Sequence, residues 1–574
     1  MDSVWPWLTG LPPPTGPTGE PSPPPNPVVT LAASPDGATS IVLQADCAAS
    51  TVEDYDGESG ERETTTAQFS FSLVLSGTNG AARALWTSER FAAASNVAMR
   101  RQLLARLLDE VIALSPSVPC LSGGAAESKL DEEVVEMADD TDGSAAAFFS
   151  LALLLRLFWL CAREAPADTG FLFFQALGAD IEHALSGCRP ALGLFLRSVG
   201  PDVEERFMRS LGYMLAKLCL LREMQAESAQ PAIPRRAALP VACLSYATEV
   251  HGLWVLKGYA PVLAMPRVTG AGAATTPITA LPHEVPEEPA LRYGLVHQQL
   301  EVVAQLEYAV SAREYGRFMT VGVRVDNVRV RVARLGFRKD GHGEDVDNYD
   351  YDDDEVMDGE RHFPSRLRLW VGPRFGASYA TGPSLGRSTG NPERDVEMTR
   401  TVKGAFAGAA TKLSNGGGVT PRVKAKMRSS ARTRNRSWRW EQEAEGSAGV
   451  FEGVLCDPVT GTEISAWRPG NNGGGVAGVA ADPRNGMRRR YGGPGRAFSK
   501  MRGLVVAGDE LPEEMTWRVG REAEGRTVPW RVGLKAWVSY LPNEVRSRHF
   551  ETRCVEWAHE VELPLIVAVN GDDQ

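Results

Sequence analysis

The residues with the clearest chemical potential in this sequence form a basic run between residues 420 and 440. No acidic residue interrupts the run, and two tryptophans stand at its end. Guanidinium and ammonium groups bind phosphates, and aromatic rings stack on unpaired bases, so this composition predicts contact with nucleic acid. The candidate contact residues are Arg422, Lys424, Lys426, Arg428, Arg432, Arg434, Arg436, Trp438, Arg439 and Trp440.

The same basic composition has other interpretations. It is typical of a nuclear-import signal and of a patch that binds anionic lipid. It is also typical of a flexible basic loop that pairs with an acidic loop of the same domain. A second basic loop, residues 484–502, has the same ambiguity.

An acidic loop is predicted over residues 340–360, which include eleven Asp and Glu residues. Clustered carboxylates can bind calcium, because hard cations prefer oxygen ligands. The ligand spacing of an EF-hand, with its turn glycine and closing glutamate, is missing. A solvated acidic loop is therefore the favoured interpretation.

Several catalytic and metal-binding patterns are missing. The eight histidines form no H-x-x-x-H pair, the eight cysteines form no C-x-x-C pair, and no G-x-x-x-x-G-K-[ST] loop occurs. We therefore predict a non-enzymatic protein without a cofactor or a metal. A catalytic set assembled from distant residues stays open as an alternative.

The charge distribution and the cysteine pattern indicate the cellular compartment of the protein. The formal net charge is −11, but it is uneven: residues 1–290 hold 19 basic and 34 acidic residues, and residues 291–574 hold the other 42 and 38. The first basic residue is Arg62, so the N-terminus lacks the basic region of a secretory signal. Unpaired cysteines inside apolar helical patterns indicate a reducing compartment. We expect a cytoplasmic or nuclear protein that is not secreted.

The spacing of apolar residues predicts the helices and strands that must position these residues. Residues 1–27 predict a disordered Pro-rich leader, and residues 28–225 a small β element followed by a helical bundle. A hairpin is predicted around the turn at residues 34–37, with a further strand over residues 67–76. Helices are predicted over residues 96–114, 145–162, 169–185 and 202–224.

The alternation of residues in the second half of the chain predicts β structure. Residues 226–290 predict a linker, and residues 291–574 a β-rich domain that carries the acidic loop (340–360) and the basic loops (420–440, 484–502). Alternating valines from Val321 to Val332 change parity at Asp326, which a bulge in one long strand explains better than a tight hairpin. The hairpin would place Arg324 opposite Arg329, and that repulsion is unfavourable.

The last two predicted strands, residues 528–540 and 555–565, each have one apolar and one polar face. His559 falls on an apolar face, where a core histidine is favoured over a catalytic base. These patterns together predict the α+β class. The N-terminal part has short strands plus a helical bundle, and the C-terminal part is an antiparallel β-sandwich or open barrel with long disordered inserts.

The predicted helix over residues 145–162 is also long and apolar enough to be a candidate membrane span. Arg156 lies inside it, toward its C-terminal end. An arginine at a helix centre raises the free energy of membrane insertion by about 2.5–3.5 kcal/mol, and each Leu or Phe lowers it by roughly 0.3–0.6 kcal/mol. The free energy of inserting this helix is therefore close to zero. Amphipathic helices follow directly, which favours a soluble bundle over membrane insertion.

Four segments of the second half have a distinctive composition: residues 361–366 (RHFPSR), 370–373 (WVGP), 385–389 (LGRST) and 438–446 (WRWEQEAEG). In these segments the chain resembles an uncharacterised protein family of land plants, and its Ala, Gly, Arg and Pro bias is similar to that of a GC-rich grass genome. The resemblance implies no activity and no site.

The sequence therefore predicts a non-enzymatic interaction or scaffold protein with an unidentified protein partner. One alternative is a nucleic-acid-associated or nuclear protein that acts through residues 420–440. A second alternative is a membrane-associated protein that uses the helix over residues 145–162.

Overall fold

Within the described part of the chain, the computed structural model contains six α-helices and twenty strands, and every strand pair is antiparallel. This confirms the predicted α+β class with antiparallel sheets. The structure describes residues 1–11, 27–54, 62–77, 82–92, 95–116, 143–163, 167–228, 244–268, 297–313, 317–335, 362–389, 394–408, 421–435, 438–456, 461, 463–466, 504–507, 511–540 and 550–566.

A five-stranded sheet lies in the N-terminal part. The predicted turn at residues 34–37 is confirmed: Gly37 has a φ of 69°, and Asp36 Oδ1 accepts hydrogen bonds from Ser34 Oγ and the Ala38 amide. The order is β1-β2-β3-β4, with β5 also paired to β3. The strands are β1 (Val28–Ala33), β2 (Ser40–Asp54), β3 (Arg62–Ser76), β4 (Ala82–Thr87) and β5 (Phe91–Ala92).

Six helices accompany this sheet in the described residues: α1 (Val4–Thr9), α2 (Asn96–Ala113), α3 (Ser144–Arg163), α4 (Ala167–Gly187), α5 (Arg189–Ser198) and α6 (Pro201–Ser228). The four predicted helices are confirmed as α2, α3, α4 and α6. Ser95 begins α2, because its Oγ accepts a hydrogen bond from the Ala98 amide. Helix α5 was not predicted. Pro190 occupies its first turn, where proline removes no helical hydrogen bond.

The helices and the five-stranded sheet share one hydrophobic core. Helix α1 belongs to this core, with Val4 and Leu8 fully buried. The prediction of a disordered leader is therefore wrong for residues 4–9, because apolar residues four positions apart give even this short helix a face to bury. Residues 12–26 lie outside the described residues. The helical bundle that the sequence indicates for this part stays a prediction.

A seven-stranded sheet begins the β-rich part. Its order is β12-β18-β10-β9-β7-β6, with β17 also paired to β10. Its strands are β6 (Ser245–Val250), β7 (Leu253–Pro261), β9 (His297–Arg313), β10 (Phe318–Leu335), β12 (Ala380–Ser384), β17 (Leu504–Ala507) and β18 (Met515–Gly520).

A six-stranded sheet of order β15-β16-β11-β19-β20-β8 packs against the seven-stranded sheet. Its strands are β8 (Arg267–Val268), β11 (His362–Pro373), β15 (Trp438–Glu445), β16 (Ala448–Leu455), β19 (Thr527–Tyr540) and β20 (Glu551–Pro564). Indole rings join the two sheets, since Trp254 and Trp530 stack with centroids 6.3 Å apart. The last two predicted strands are confirmed as the pair β19 and β20.

The predicted bulge is confirmed. Strand β10 runs unbroken through Asp326, and its register against β9 shifts between Val325 and Asn327. Arg324 lies opposite Glu307, with which it forms an ion pair, and therefore avoids Arg329. The bulge keeps the valines on the buried face without a like-charge contact.

The linker predicted over residues 226–290 is corrected in part. Residues 245–268 form β6, β7, a short 3-10 helix and β8. Trp254 and Leu256 are buried, so this stretch alternates toward the core like any other strand. The remaining residues of the predicted linker, apart from the end of α6 and Leu244, lie outside the described residues.

Helix α6 connects the two cores, because it packs on β7, on β9 and on the 3-10 helix Val262–Ala264. Gly212 allows the approach: a Cβ there would lie 1.9 Å from Oε1 of the fully buried Gln299 on β9. The close contact brings the charged first turns of α6 onto the sheet, where they form the ion pairs described below.

Candidate anion-binding surface

Two strands form a ribbon of their own. Strand β13 (Arg394–Gly408) pairs only with β14 (Pro421–Asn435) among the described strands. Their antiparallel register has no shift from the pair Arg394 and Asn435 to the pair Gly408 and Pro421. The loop predicted over residues 420–440 is thus a strand over most of its length, since pairing satisfies its backbone hydrogen bonds. We call β13 and β14 the ribbon.

The register sorts the basic residues onto one face of the ribbon. Successive residues of a strand belong to opposite faces, and directly paired residues share a face. The even-numbered positions of β14 and the odd-numbered positions of β13 therefore form one face. This basic face contains Arg422, Lys424, Lys426, Arg428, Arg432, Arg434 and, from β13, Lys403.

One end of the basic face has its charge compensated. Arg434 is paired in register with Asp395, and Arg432 with Glu397. Opposite charges at directly paired positions stabilise an antiparallel ladder by roughly 0.2–1 kcal/mol. These two arginines thus have acidic counterparts in the ribbon itself.

The other end of the basic face has no such compensation. Lys426 is paired in register with Lys403, a like-charge pair that destabilises the ribbon. The remaining basic positions face neutral residues: Arg422 is paired with Ala407, Lys424 with Ala405 and Arg428 with Thr401. Five basic positions therefore share one face without an acid at a paired position. Such a face favours the binding of an external anion.

Sequence reasoning missed Lys403 and the two acids of β13. The search followed a contiguous basic run, whereas the face is built from two strands. Alternation in residues 394–408 was the available signal.

The tryptophans of the predicted contact set lie elsewhere. Trp438 and Trp440 belong to β15 and are buried in the core of the two packed sheets, with 7% and 0% of their surface exposed. They are therefore not on the surface where a base could stack. Arg439 forms an ion pair with Glu441 at 3.0 Å. Arg436, the acidic loop 340–360 and the basic loop 484–502 lie outside the described residues.

A second group of charges lies buried where α6 meets the sheet. Glu204, only 1% exposed, accepts a hydrogen bond from Lys257 Nζ at 2.6 Å and one from the Tyr259 hydroxyl at 3.0 Å. Burial and the carboxylate raise the pKa of Tyr259 above its ordinary value, so the phenol stays a donor. Each polar group has a partner within the fold, as a structural contact requires.

A neighbouring set continues this interface. Arg209 of α6 bonds Glu301 of β9, with Nε and Oε1 3.0 Å apart, and also pairs with Glu205 one turn earlier. Arg331 of β10 approaches Glu301 at 3.9 Å. Acids and bases alternate here across three elements, and the arrangement holds α6 to the sheet.

A serine and a histidine meet at the edge of the two sheets. His559 Nε2 and Ser245 Oγ are 2.9 Å apart, the distance of a nucleophile and its base. Burial, assisted by Arg197, lowers the pKa of His559 to about 4. A hydrolytic triad needs a carboxylate beside the histidine, whereas the charged group that acts here is a cation.

Two overlapping G-x-S-x-G patterns occur, at residues 382–386 and 386–390. Ser384 of the first pattern belongs to strand β12, where it is paired in register with Thr516. In hydrolases the serine of this pattern lies on a sharp strand-to-helix turn. Here Ser388 follows β12 in extended chain, and its Oγ accepts a hydrogen bond from the Gln442 amide of β15. Thr389 bonds Trp440 through its backbone, so the segment serves as an edge contact and not as a nucleophile elbow.

The apolar helix α3 has the composition of a membrane span, with a mean hydropathy of 2.0 over Ser144–Ala162. Most of that window, 78%, is buried inside the protein. Arg156 is 8% exposed and pairs with Glu110 of α2, which also accepts a hydrogen bond from Trp86 Nε1 at 3.1 Å. This is the environment of a core helix with a satisfied charge.

Comparison with known proteins gives no family. No family model matches the sequence, and no curated protein matches it. Among solved structures, the Clostridium perfringens NetB toxin in its membrane-inserted form aligns at 7% identity, covering 55% of this chain and 92% of the toxin, with a TM-score of 0.17. The Clostridium perfringens delta-toxin (8% identity, 56% and 96% covered) and a structure titled "Pore forming protein" (8%, 55% and 94%) also have TM-scores of 0.17. Such scores are too low for any conclusion about this chain.

Proposed function

We propose that this chain is a non-enzymatic interaction protein whose ribbon binds a polyanionic surface. The observation that carries the proposal is the register of β13 and β14, which gathers five basic residues on one face without an acid at a paired position. Protein surfaces with a concentrated charge of one sign attract partners of the other sign and accelerate their association.

The contrast with the α6 interface supports this proposal. At that interface the fold supplies Glu204 for Lys257 and Glu301 for Arg209, so these charges are explained by folding. On the ribbon, Lys403 and Lys426 are paired in register with each other, and folding gains nothing from this arrangement. A like-charge pair that weakens the ribbon is explained if an anion binds there.

The proposal is tested with the full-length protein and a short labelled DNA duplex as a generic polyanion. We expect binding whose affinity falls steeply with salt, because phosphate contacts release counterions. Replacing Lys424 and Lys426 by glutamine should weaken binding and reduce the slope of log affinity against log salt by about 2.

The matched control replaces Arg432 and Arg434 by glutamine. It removes the same charge from the same face, but from positions that Glu397 and Asp395 already compensate. This control should therefore weaken binding less than the replacement of Lys424 and Lys426 does. Equal losses from the two double variants, or no loss from either, would contradict the proposal.

A further inference from the structure

The ribbon has a second face that polyanion binding alone leaves unexplained. The odd-numbered positions of β14 and the even-numbered positions of β13 share this face. Phe406 is paired with Val423, and Val402 with Met427. Farther along, Met398 is paired with Ala431 and Val396 with Thr433. The register thus gives the ribbon one basic and one largely apolar face.

The apolar face belongs to a ribbon that shares no hydrogen-bonded ladder with another described strand. β13 and β14 hydrogen-bond only to each other among the described strands, and each packs extensively only against the other among the described elements. A two-stranded ribbon is at best marginally stable in water, and its apolar face requires an apolar partner. A nucleic acid would satisfy the basic face and leave the apolar face in water.

We infer that the polyanionic surface bound by the ribbon is an anionic lipid bilayer, on which the ribbon lies flat with its apolar face toward the acyl chains. This inference rests on the proposed function and specifies its partner. Anionic headgroups match the uncompensated cations, and the hydrocarbon boundary beneath them matches the apolar face. Amphipathic helices bind membranes in the same way, with the apolar face at the acyl boundary and the basic face toward anionic headgroups.

Arg400 indicates that the ribbon lies on the bilayer and does not cross it. Its position is on the apolar face, between Met398 and Val402 and paired with Ser429. A lipid-facing arginine is strongly unfavourable near the bilayer midplane and nearly neutral at the interface. At the interface the charged end of an arginine can stay among the phosphates, so a ribbon that lies flat tolerates an arginine at this position.

The test measures co-sedimentation of the full-length protein with vesicles of phosphatidylcholine alone and of phosphatidylcholine with phosphatidylserine. We expect binding only to the anionic vesicles. Each basic residue contributes about a fivefold gain near such a surface, so the K424Q/K426Q variant should bind about 30-fold more weakly. The V402S/F406S variant should also lose at least about tenfold, because it removes apolar surface from the other face.

Phe375 provides the control for the second variant. It is 81% exposed on the loop after β11, so it is an accessible phenylalanine outside the ribbon. F375S should leave vesicle binding unchanged. V402S/F406S should in addition leave DNA affinity unchanged, since the apolar face does not contact phosphates.

The outcomes separate this inference from the proposed function. If K424Q/K426Q weakens binding to DNA and V402S/F406S leaves vesicle binding intact, the inference fails and the proposed function stands, with nucleic acid as the partner. If K424Q/K426Q changes no polyanion binding, both fail. Should V402S/F406S not fold, hydrogen exchange of the unaltered protein decides. Ribbon amides that gain no protection on anionic vesicles would overturn the inference.

Discussion

The contact between α6 and the sheet and the basic face of the ribbon use the same residue types for opposite purposes. At the α6 contact, Lys257 and Arg209 lie within 3.0 Å of carboxylates that other elements supply. On the ribbon, the cations from Arg422 to Arg428 have no acid at a paired position. The comparison separates charges whose partners the fold supplies from charges that have no acid at a paired position.

The physical basis of this distinction is the cost of desolvation. A buried charge must be neutralised by a partner inside the protein, because an uncompensated charge of low exposure costs several kcal/mol. A like-charge pair at directly paired positions of an antiparallel ladder costs only a fraction of that. Basic residues can therefore be paired in register on the ribbon, whereas the bases at the α6 contact need acids. Four predictions test this comparison.

The largest effect is expected for Lys257→Met, which leaves the Glu204 carboxylate buried without its cation. Tyr259 still donates a hydrogen bond, so we expect the free energy of unfolding to fall by about 3 kcal/mol, measured by urea denaturation. Lys535→Met is the control, since Lys535 and Glu556 are 3.3 Å apart but 33% and 56% exposed; it should cost less than about 1 kcal/mol. Equal costs would erase the distinction between buried and exposed pairs.

The next effect concerns the buried arginine of α3. Glu110→Gln keeps an acceptor for Trp86 but removes the charge that compensates Arg156, so we expect a loss of about 2 kcal/mol in the same assay. The control is Glu89→Gln, because Glu89 is 88% exposed where it pairs with Arg106, and it should change stability by less than about 0.5 kcal/mol. An unchanged stability of E110Q would show that Arg156 is not held by this pair.

The third prediction uses pH. The folded-state pKa of His559, about 4, lies below its ordinary value of 6.5, so its contribution to stability is complete above pH 6.5 and is lost as the pH falls toward 4. Allowing for partial exposure, the loss should be about 2 kcal/mol. His559→Gln should remove this part of the pH dependence, whereas His183→Gln, at a side chain 74% exposed, should leave it. If the stability of H559Q varied with pH in parallel with that of the wild type, this prediction for His559 would be refuted.

The smallest effect is on the ribbon itself. Lys426→Glu replaces the like-charge pair with Lys403 by an opposite-charge pair and should stabilise the ribbon by about 0.5 kcal/mol, read as slower hydrogen exchange of its amides. Arg432→Glu places an acid opposite Glu397 and should have the reverse effect. The two variants should nevertheless both weaken polyanion binding. Shifts of the same sign in hydrogen exchange would mean that the register does not set these charge contacts.

The sequence by itself determined the local elements. The 3.6-residue period of α2, α3, α4 and α6 and the two-residue period of β10, β19 and β20 are properties of short windows, so they could be predicted. The bulge near Asp326 was predictable for a similar reason, because parity and like-charge repulsion both act between near neighbours. The basic residues that β14 contributes to the candidate surface were also visible as a run, whereas Lys403 of β13 was not.

The tertiary structure alone decided which residues meet. Trp438 and Arg434 are four positions apart, yet the first belongs to a buried core strand and the second to the ribbon. Lys403 joins Lys426 only through the strand register, and Glu204 joins Lys257 only through the docking of α6. Such contacts depend on burial and pairing over long sequence separations, and local residue preferences do not specify them.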